Sequence, residues 1–230
     1  MKNTRRCKVC RVQFQPRFSM MQSTCENPKC LAEHGRNEYK KQEEKKRLQK
    51  KREDAQWKKE AKERLKTHGN YESDLEETIR EISALIDSSV DCCLSCQSKI
   101  SPTNKSNAGH RFAVGGNNSL RFNLDNIHRQ GVCCNMHKNG NPDGYDEGMI
   151  RVYGKPYYEY VKFELKGIYP LVKMTIPELM AKRALAMKIR NELKKKALDY
   201  SPDERLKLRE QINSEIGIYS FGFQNFLESK

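Results

Sequence analysis

The sequence is poor in apolar residues and has no long apolar run. Hydrophobic residues make up 36% of its 230 residues, whereas the apolar share of a globular domain is usually about 45–50%. No apolar run approaches the ~18 residues of a membrane-spanning helix, and the N-terminal residues lack the apolar stretch of a signal peptide. These absences disfavour a large enzyme with a deep apolar pocket and a membrane protein, and they favour a cytoplasmic location.

Acidic residues are too few to balance the basic ones, and the cysteines are odd in number. Lys and Arg total 44 against 30 Asp and Glu, which leaves a formal net charge of +14. Such a charge favours a polyanionic partner, most often nucleic acid, over solubility alone.

Disulfides are rare in a reducing compartment and would leave one of the nine cysteines over. We therefore expect small modules with thin cores that are held by zinc.

Composition divides the chain into four regions. A zinc knuckle or ribbon is predicted for 1–35, a basic charged helix or linker for 36–70, a helix plus a compact module for 71–145, and a mainly helical region for 146–230. The segment 36–66 contains neither Pro nor Gly and carries half of the excess positive charge. It is predicted to be a solvated helix ending near residues 69–70, which serves either as an inert spacer or as an electrostatic arm along DNA.

Three helix starts are predicted from local signals. Ser73-Asp74-Leu75-Glu76 resembles a capping box. Apolar residues then recur at helical spacing and predict a helix to about Ser89 with a core-facing stripe: Leu75, Ile79, Ile82, Leu85 and Ile86. Thr175-Ile-Pro-Glu178 and Ser201-Pro-Asp-Glu204 have Pro in the first turn, and they predict helices over about 175–197 and 201–216.

The first cysteine cluster consists of two thiol pairs. Cys7 and Cys10 are separated by two residues, and Cys25 and Cys30 by four. Two such pairs can surround one tetrahedral Zn²⁺ at about 2.3 Å per bond. His34 could replace one of the later thiols, and Phe14 and Phe18 could supply a minimal core. The spacing predicts a structural zinc site here rather than four unrelated thiols.

The second cluster combines thiols with histidines and asparagines. Cys93-x2-Cys96 and the vicinal pair Cys133-Cys134 bracket a segment that contains His110 and Asn126. A ββα-metal nuclease needs this arrangement: zinc clamps a hairpin to a short helix, a His deprotonates water, an Asn holds that His, and a polar residue on the helix binds a divalent metal. Because water has a pKa of 15.7, a base and a metal together generate the nucleophile near neutral pH.

Several stretches resemble the NinG (Rap) family of phage recombination proteins, over about residues 5–195. They are Cys93-Leu-Ser-Cys96, Ala108-Gly-His110, Leu120-Arg-Phe-Asn123, Asn126-Ile-His128-Arg-Gln130, Cys134-Asn135-Met-His137-Lys-Asn-Gly140-Asn141 and the N-terminal Cys7-Lys-Val-Cys10. The family is regarded as HNH-like endonucleases of branched DNA, such as Holliday junctions and D-loops. The resemblance implies a phage protein in the host cytoplasm, and residues 200–230 look like an extension.

The resemblance also implies roles for individual residues. His110 matches the general base, Asn126 the central Asn, and Asn135 a metal ligand. Mg²⁺ or Mn²⁺ is the implied catalytic ion, beside structural Zn²⁺, and His137 matches a position that could touch metal or phosphate. The predicted DNA contacts, with ordinary surface charges as the alternative for the cations, are Arg111, Arg121, His128, Arg129 and Lys138.

Two positions depart from the expected pattern. Gly109 stands where many HNH proteins carry an Asp metal ligand, although a Gly-His form fits the NinG family. The family's later zinc pair is expected at 131 and 134, whereas this chain has Gly131 followed by Cys133-Cys134. The zinc ligands would then be Cys93, Cys96 and Cys134, with Cys133, Cys92 or a histidine as the fourth, or this module holds no zinc.

We therefore predict an α+β protein with small zinc-stabilised modules, including a ββα-metal (HNH-like) nuclease core, a long charged helix and a helical C-terminal part. The expected function is metal-dependent hydrolysis of phosphodiester bonds in branched or single-strand-containing DNA during phage recombination. Resolution of paired strands often uses two active sites, which suggests a homodimer. The alternatives are a non-catalytic, zinc-containing DNA-binding recombination adaptor and, more weakly, an RNA-associated zinc-ribbon protein. An adaptor has no need of the set His110, Asn126 and Asn135.

Overall fold

The chain divides into two compact units, Met1–Leu65 and Lys66–Lys230. The computed structural model describes residues 4–17, 19, 21–116, 118–196 and 199–229. The described part is mostly helical, and its four strands are only two to five residues long. None of its helices combines the length and the apolarity that crossing a membrane requires.

The first unit is a small strand pair and one long helix. Strands β1 (Arg5–Arg6) and β2 (Gln13–Phe14) pair antiparallel, and helix α1 spans Pro28–Arg64. The helix begins earlier than predicted, because the Asn27 side chain accepts a hydrogen bond from the Lys29 N–H and Pro28 suits the first turn. Phe14 is half-buried, whereas Phe18 lies outside the described residues.

Helix α1 is solvated along almost its whole length. Cys30 is its one buried side chain, while large apolar side chains such as Tyr39 and Trp57 are exposed. Ion pairs between residues close in sequence, for example Lys41 with Glu38, lie on its surface. The prediction of a solvated charged helix is confirmed, although the helix ends at Arg64 and not near residues 69–70.

The second unit begins with helix α2 (His68–Ile86). The capping box predicted at Ser73 is wrong, since Ser73 lies inside α2. Thr67 precedes the first turn instead, and its N–H donates to Asn70 Oδ1 at 2.8 Å. The predicted apolar stripe is confirmed: Leu75, Ile79, Ile82 and Ile86 are fully buried, and Leu85 packs against them.

A two-stranded hairpin carries the histidines of the second cluster. Strands β3 (Ser106–His110) and β4 (Ile127–Gly131) pair antiparallel, with Gly109 opposite His128 and His110 opposite Ile127. Their connection holds short 3-10 turns. A π-helical turn (Cys133–His137) follows β4, and helix α3 spans Pro142–Tyr153.

Short helices and two long ones complete the second unit. They are α4 (Lys155–Glu159), a π-helical turn (Tyr160–Glu164), α5 (Leu165–Ile168), α6 (Ile176–Leu193), α7 (Pro202–Ile216) and α8 (Phe223–Glu228). The predicted starts of α6 and α7 are confirmed. In both, a Glu three residues after the N-cap accepts hydrogen bonds from the cap residue. Residue 197, the predicted end of α6, lies outside the described residues.

Two apolar clusters meet in the second unit, and the C-terminal residues contribute to both. One cluster joins α2, the hairpin, α6 and α7, and it includes Ile212, Ile216 and Tyr219. The other joins α3, α4 and α5 and includes Leu206 and Phe223. Residues 200–229, which look like an extension in the sequence, thus bury apolar side chains in the core that supports the hairpin.

Candidate functional site

The thiols of Cys7, Cys10, Cys25 and Cys30 lie within 4.8 Å of one another in the first unit. Hydrogen bonds from backbone N–H groups, Cys10 first, outweigh burial and lower the pKa of Cys7 to about 6. Burial and the neighbouring thiols raise the pKa of Cys30 to about 12. Four thiolates this close repel one another unless a cation neutralises them, and the set could hold a tetrahedral zinc ion. His34 is not part of this group.

The second group contains three thiols. Those of Cys93, Cys96 and Cys134 lie within 4.8 Å of one another. Burial alone would raise the pKa of Cys96, yet hydrogen bonds from Ser98 and from the other thiols bring it down to about 7. The Asn141 amide donates to Cys134 Sγ at 3.6 Å. This set could also hold a zinc ion, with three protein ligands among the described residues.

The structure does not bring Cys133 to this group, which corrects the prediction that it is a ligand. Its side chain is exposed, because consecutive residues of a helical turn point in different directions. Gly131, by contrast, lies beside the group. A Cβ atom added there would lie 3.5 Å from Cys93 Cβ and 3.6 Å from Cys93 Sγ. A side chain at position 131 would therefore reach the thiols, but glycine offers none.

His110 stands at the end of β3 with its tautomer determined by the backbone. Its Nε2 lies 3.1 Å from the carbonyl oxygen of Arg121. Because a carbonyl oxygen can only accept, Nε2 carries the proton and Nδ1 keeps its lone pair. Burial lowers the pKa of His110, although the Arg121 carbonyl acts in the opposite direction. The imidazole is therefore neutral at pH 7 and able to accept a proton.

Asn126 is hydrogen-bonded to the loop that contacts His110. Its Oδ1 accepts from the Phe112 N–H at 2.8 Å, and its Nδ2 donates to the carbonyl oxygens of Phe112 and Leu120 at 3.2 Å. The side chain is fully buried. Leu120 directly precedes Arg121, whose carbonyl oxygen contacts His110, so Asn126 is bonded to the residue next to that contact.

His110 and Asn135 line an open cleft of about 260 Å³, together with Arg80, Arg111 and Asn139. Asn135 lies on the π-helical turn, and its Nδ2 donates to Asn107 Oδ1 at 2.8 Å. A Cβ atom added at Gly109 would overlap Gln130 Oε1 and lie 2.9 Å from Asn135 Oδ1. A carboxylate at this position, which many HNH proteins carry, would therefore require the Gln130 and Asn135 side chains to move.

Of the other predicted metal and DNA residues, His137 and Lys138 are exposed and do not line the cleft. Arg111 does line it, and its guanidinium is paired with Asp146.

The prediction that His128 contacts DNA is wrong. Its side chain is 1% exposed, and its ring nitrogens lie 3.0 and 3.1 Å from the hydroxyls of Tyr145 and Tyr157. Burial lowers its pKa well below the usual range. Side chains alternate along a strand, and this one points into the core on α3 and α4. His128 is a neutral structural residue.

Arg121 and Arg129 are also engaged within the protein. Arg121 pairs with Glu76 at 2.7 Å and Glu72 at 3.0 Å, both on α2. Arg129 donates to the carbonyl oxygens of Asp87 and Ser88 and to Ser106 Oγ. Both guanidinium groups are thus held between elements of the unit, which corrects their prediction as phosphate contacts.

One cleft residue was missed by sequence reasoning. Arg80 reaches the cleft from α2, where its Nε donates to the Ala108 carbonyl oxygen at 3.1 Å. No local signal marks it, because it reaches the cleft only through packing of α2 on the hairpin. Gln130, which lies in β4 with its side chain fully buried beside Gly109, does not line the cleft.

A family model described as Bacteriophage Lambda NinG protein matches residues 1–197. The chain belongs to the NinG family. No curated protein and no solved structure matches it. Both thiol groups, His110, Asn126 and Asn135 lie within the NinG match, which ends before α7. Membership of NinG makes this a phage recombination-related protein.

Proposed function

We propose that the chain is a metal-dependent endonuclease that hydrolyses phosphodiester bonds in branched DNA recombination intermediates such as Holliday junctions and D-loops. The observation that carries this proposal is the neutral His110 at the end of the hairpin, with its proton placed on Nε2. Asn135, on the helical turn after the hairpin, lines the same cleft. This is the order of parts that a ββα-metal nuclease uses.

His110 acts as the general base. Its Nδ1 lone pair accepts a proton from the attacking water, while the Arg121 carbonyl holds the opposite side of the ring. A positioned general base contributes about 10²–10⁴-fold to rate. Because burial keeps the pKa of His110 low, cleavage should persist somewhat below pH 6.5 and fall only when the ring becomes protonated.

Asn135 is the cleft residue that would hold a divalent cation, because amide oxygens such as its Oδ1 can bind Mg²⁺ or Mn²⁺. When bound, the cation would polarise the scissile phosphate and stabilise the developing charge. Arg80 also lines the cleft and would orient the phosphate toward the base, whereas the Arg111 guanidinium is already paired with Asp146.

Helix α1 is the proposed electrostatic contact with the DNA backbone. Exchange of the exposed Lys45, Lys46 and Lys50 for Gln keeps the helix and removes three charges. If α1 tracks the backbone, the slope of log K against log salt should flatten by up to about 3 units, since each phosphate contributes about −0.9. An unchanged slope would make α1 a spacer.

The test of the nuclease compares wild type with His110→Ala on one junction substrate. Binding is measured in chelator, and cleavage is measured with Mg²⁺ or Mn²⁺. The variant should bind equally and cleave about 10²–10⁴-fold more slowly. His68→Ala, which removes a half-exposed histidine at the start of α2, is the matched control and should cleave normally. Absence of cleavage by wild type with every metal and substrate would favour the non-catalytic adaptor.

A further inference from the structure

The cleft that His110 lines has one guanidinium without an ion-pair partner among the described residues. It belongs to Arg80, whereas the guanidinium of Arg111 is paired with Asp146. The described residues that line the cleft include no Asp or Glu. A positive charge that no carboxylate neutralises favours an anion as the ligand of this cleft.

A carboxylate on the same face of α2 as Arg80 is engaged by another arginine. Glu76 lies four residues before Arg80, a spacing that places two side chains side by side on a helix. However, Arg121 pairs with Glu76 at 2.7 Å and with Glu72 at 3.0 Å. These two ion pairs leave the charge of Arg80 available to a ligand.

One nitrogen of the Arg80 guanidinium is already fixed. Its Nε donates to the carbonyl oxygen of Ala108, on the strand that carries His110, at 3.1 Å. Its two terminal nitrogens make no hydrogen bond to any described residue. A guanidinium presents its N–H donors in one plane, at a spacing that matches two oxygens of a phosphate. Because Arg80 is held in advance, it would lose little conformational freedom on binding one.

Asn139 offers a second donor to the same cleft. Its side chain is exposed and makes no hydrogen bond to any described residue. Its φ is +48°, in the left-handed region that Asn adopts more readily than most residues with a side chain. A side-chain amide that has no partner within the protein can donate to a phosphate oxygen.

We propose that this cleft is a phosphate site that works without a divalent cation, in which Arg80 and Asn139 donate hydrogen bonds to the phosphate oxygens. The inference rests on the proposed function, which makes DNA the source of the phosphate. A phosphate monoester carries a charge of about −1.5 to −2 at pH 7, whereas each phosphodiester of a strand carries a single negative charge. The cleft should therefore bind a strand end that carries a phosphate, such as a product of hydrolysis, more tightly than an internal diester.

The experiment titrates the zinc-loaded full chain, free of Mg²⁺ and Mn²⁺, with inorganic phosphate and follows the NMR signals of the cleft residues. Arg80→Gln removes the charge and should weaken phosphate binding at least about tenfold, the share of a hydrogen bond to a charged group. Arg80→Lys keeps the charge without the planar donors and should recover only part of that loss. Asn139→Ala removes a neutral donor and should weaken binding about two- to tenfold. Lys166→Gln, the control, removes one charge from an exposed residue outside the cleft and should bind phosphate like the wild type.

A measurement on the unchanged protein covers the case in which Arg80→Gln fails to fold. Phosphate should shift the NMR signal of the Arg80 Nε–H group. A short single strand with a terminal phosphate should cause the same shift at a lower concentration than the same strand without one. Absence of this shift, or equal effects of Arg80→Gln and Lys166→Gln, would overturn the proposal. Equal concentrations for the two strands would assign the site to internal diesters and overturn the preference for a strand end.

The outcomes separate the phosphate site from the nuclease itself. Phosphate bound at Arg80 without any DNA cleavage by the wild type would refute the nuclease and leave the phosphate site standing. Metal-dependent cleavage without any response of the Arg80 signal to phosphate would do the reverse.

Discussion

Arg209 on α7 is expected to be the most sensitive position for the stability of the second unit. Its side chain is completely buried. One guanidinium nitrogen donates to both carboxylate oxygens of Asp87 at 2.7 Å. Another donates to the carbonyl oxygens of Leu124 and Ile127 at 2.7 and 2.6 Å. These carbonyls flank Asn126, so Arg209 joins the end of α2 to the segment that positions the proposed base.

The loss of stability expected for Arg209→Met follows from the buried partners that the substitution leaves without the guanidinium. Methionine retains most of the apolar contact, but Asp87 becomes a buried carboxylate that keeps only the Arg205 guanidinium at 3.8 Å and the Arg129 N–H at 2.9 Å. Removing one partner of a buried ion pair costs about 3–5 kcal/mol. Domains have total stabilities of about 5–15 kcal/mol, so Arg209→Met should remove a large part of the free energy of unfolding. Adding Asp87→Asn removes the poorly compensated charge and should restore about 1–3 kcal/mol.

The assay is urea unfolding at fixed free zinc, followed by near-ultraviolet circular dichroism of the tyrosines. Of the ten tyrosines, Tyr39 alone lies in the first unit, and the one tryptophan, Trp57, is exposed there, so the signal of ordered aromatic side chains comes mainly from the second unit. Lys207→Met, an exposed exchange on the same helix, is the control and should unfold like wild type. A loss below about 1 kcal/mol for Arg209→Met, or additive effects in the double variant, would refute the reasoning.

Three further predictions concern titration and zinc. Burial raises the pKa of Asp125 to about 6 from 3.8. The folded state therefore gains up to about 3 kcal/mol of stability as the pH falls from about 6 to 3.8. In urea unfolding, Asp125→Asn should abolish that gain, and parallel pH profiles of the variant and the wild type would contradict the prediction. Gly131→Cys should bind zinc at the second thiol group at least about tenfold more tightly than the wild type in chelator competition. Gly131→Ser, the size control, should not. Equal zinc affinities of Gly131→Cys and the wild type would show that position 131 does not reach the ion. Cys30→Ser should lower the zinc content by one ion per chain in elemental analysis and leave the near-ultraviolet signal of the second unit unchanged; undiminished zinc would exclude Cys30 as a ligand.

Much of the candidate site could be predicted from residues close together in the chain. Thiols separated by two or four residues stay close in space whatever surrounds them, so spacing was enough to predict the first thiol group and the Cys93–Cys96 pair of the second. The starts of α6 and α7 depend on a cap residue and a Glu three positions later, and the stripe of α2 depends on helical period alone. The resemblance to the NinG family singled out His110, Asn126 and Asn135, which lie at or beside one cleft.

The tertiary structure decided which polar side chains are available to bind DNA and which are engaged within the protein. Arg121 and Arg129 are of a residue type that commonly contacts DNA phosphates. Their partners, however, lie on or beside α2, about 40 residues away in the chain. His128 is neutral and structural because strand pairing turns it toward Tyr145 and Tyr157. Gln130 comes to lie beside Gly109 only because β3 and β4 pair. A side chain's partners depend on distant segments brought together by folding, and sequence spacing carries no record of those distances.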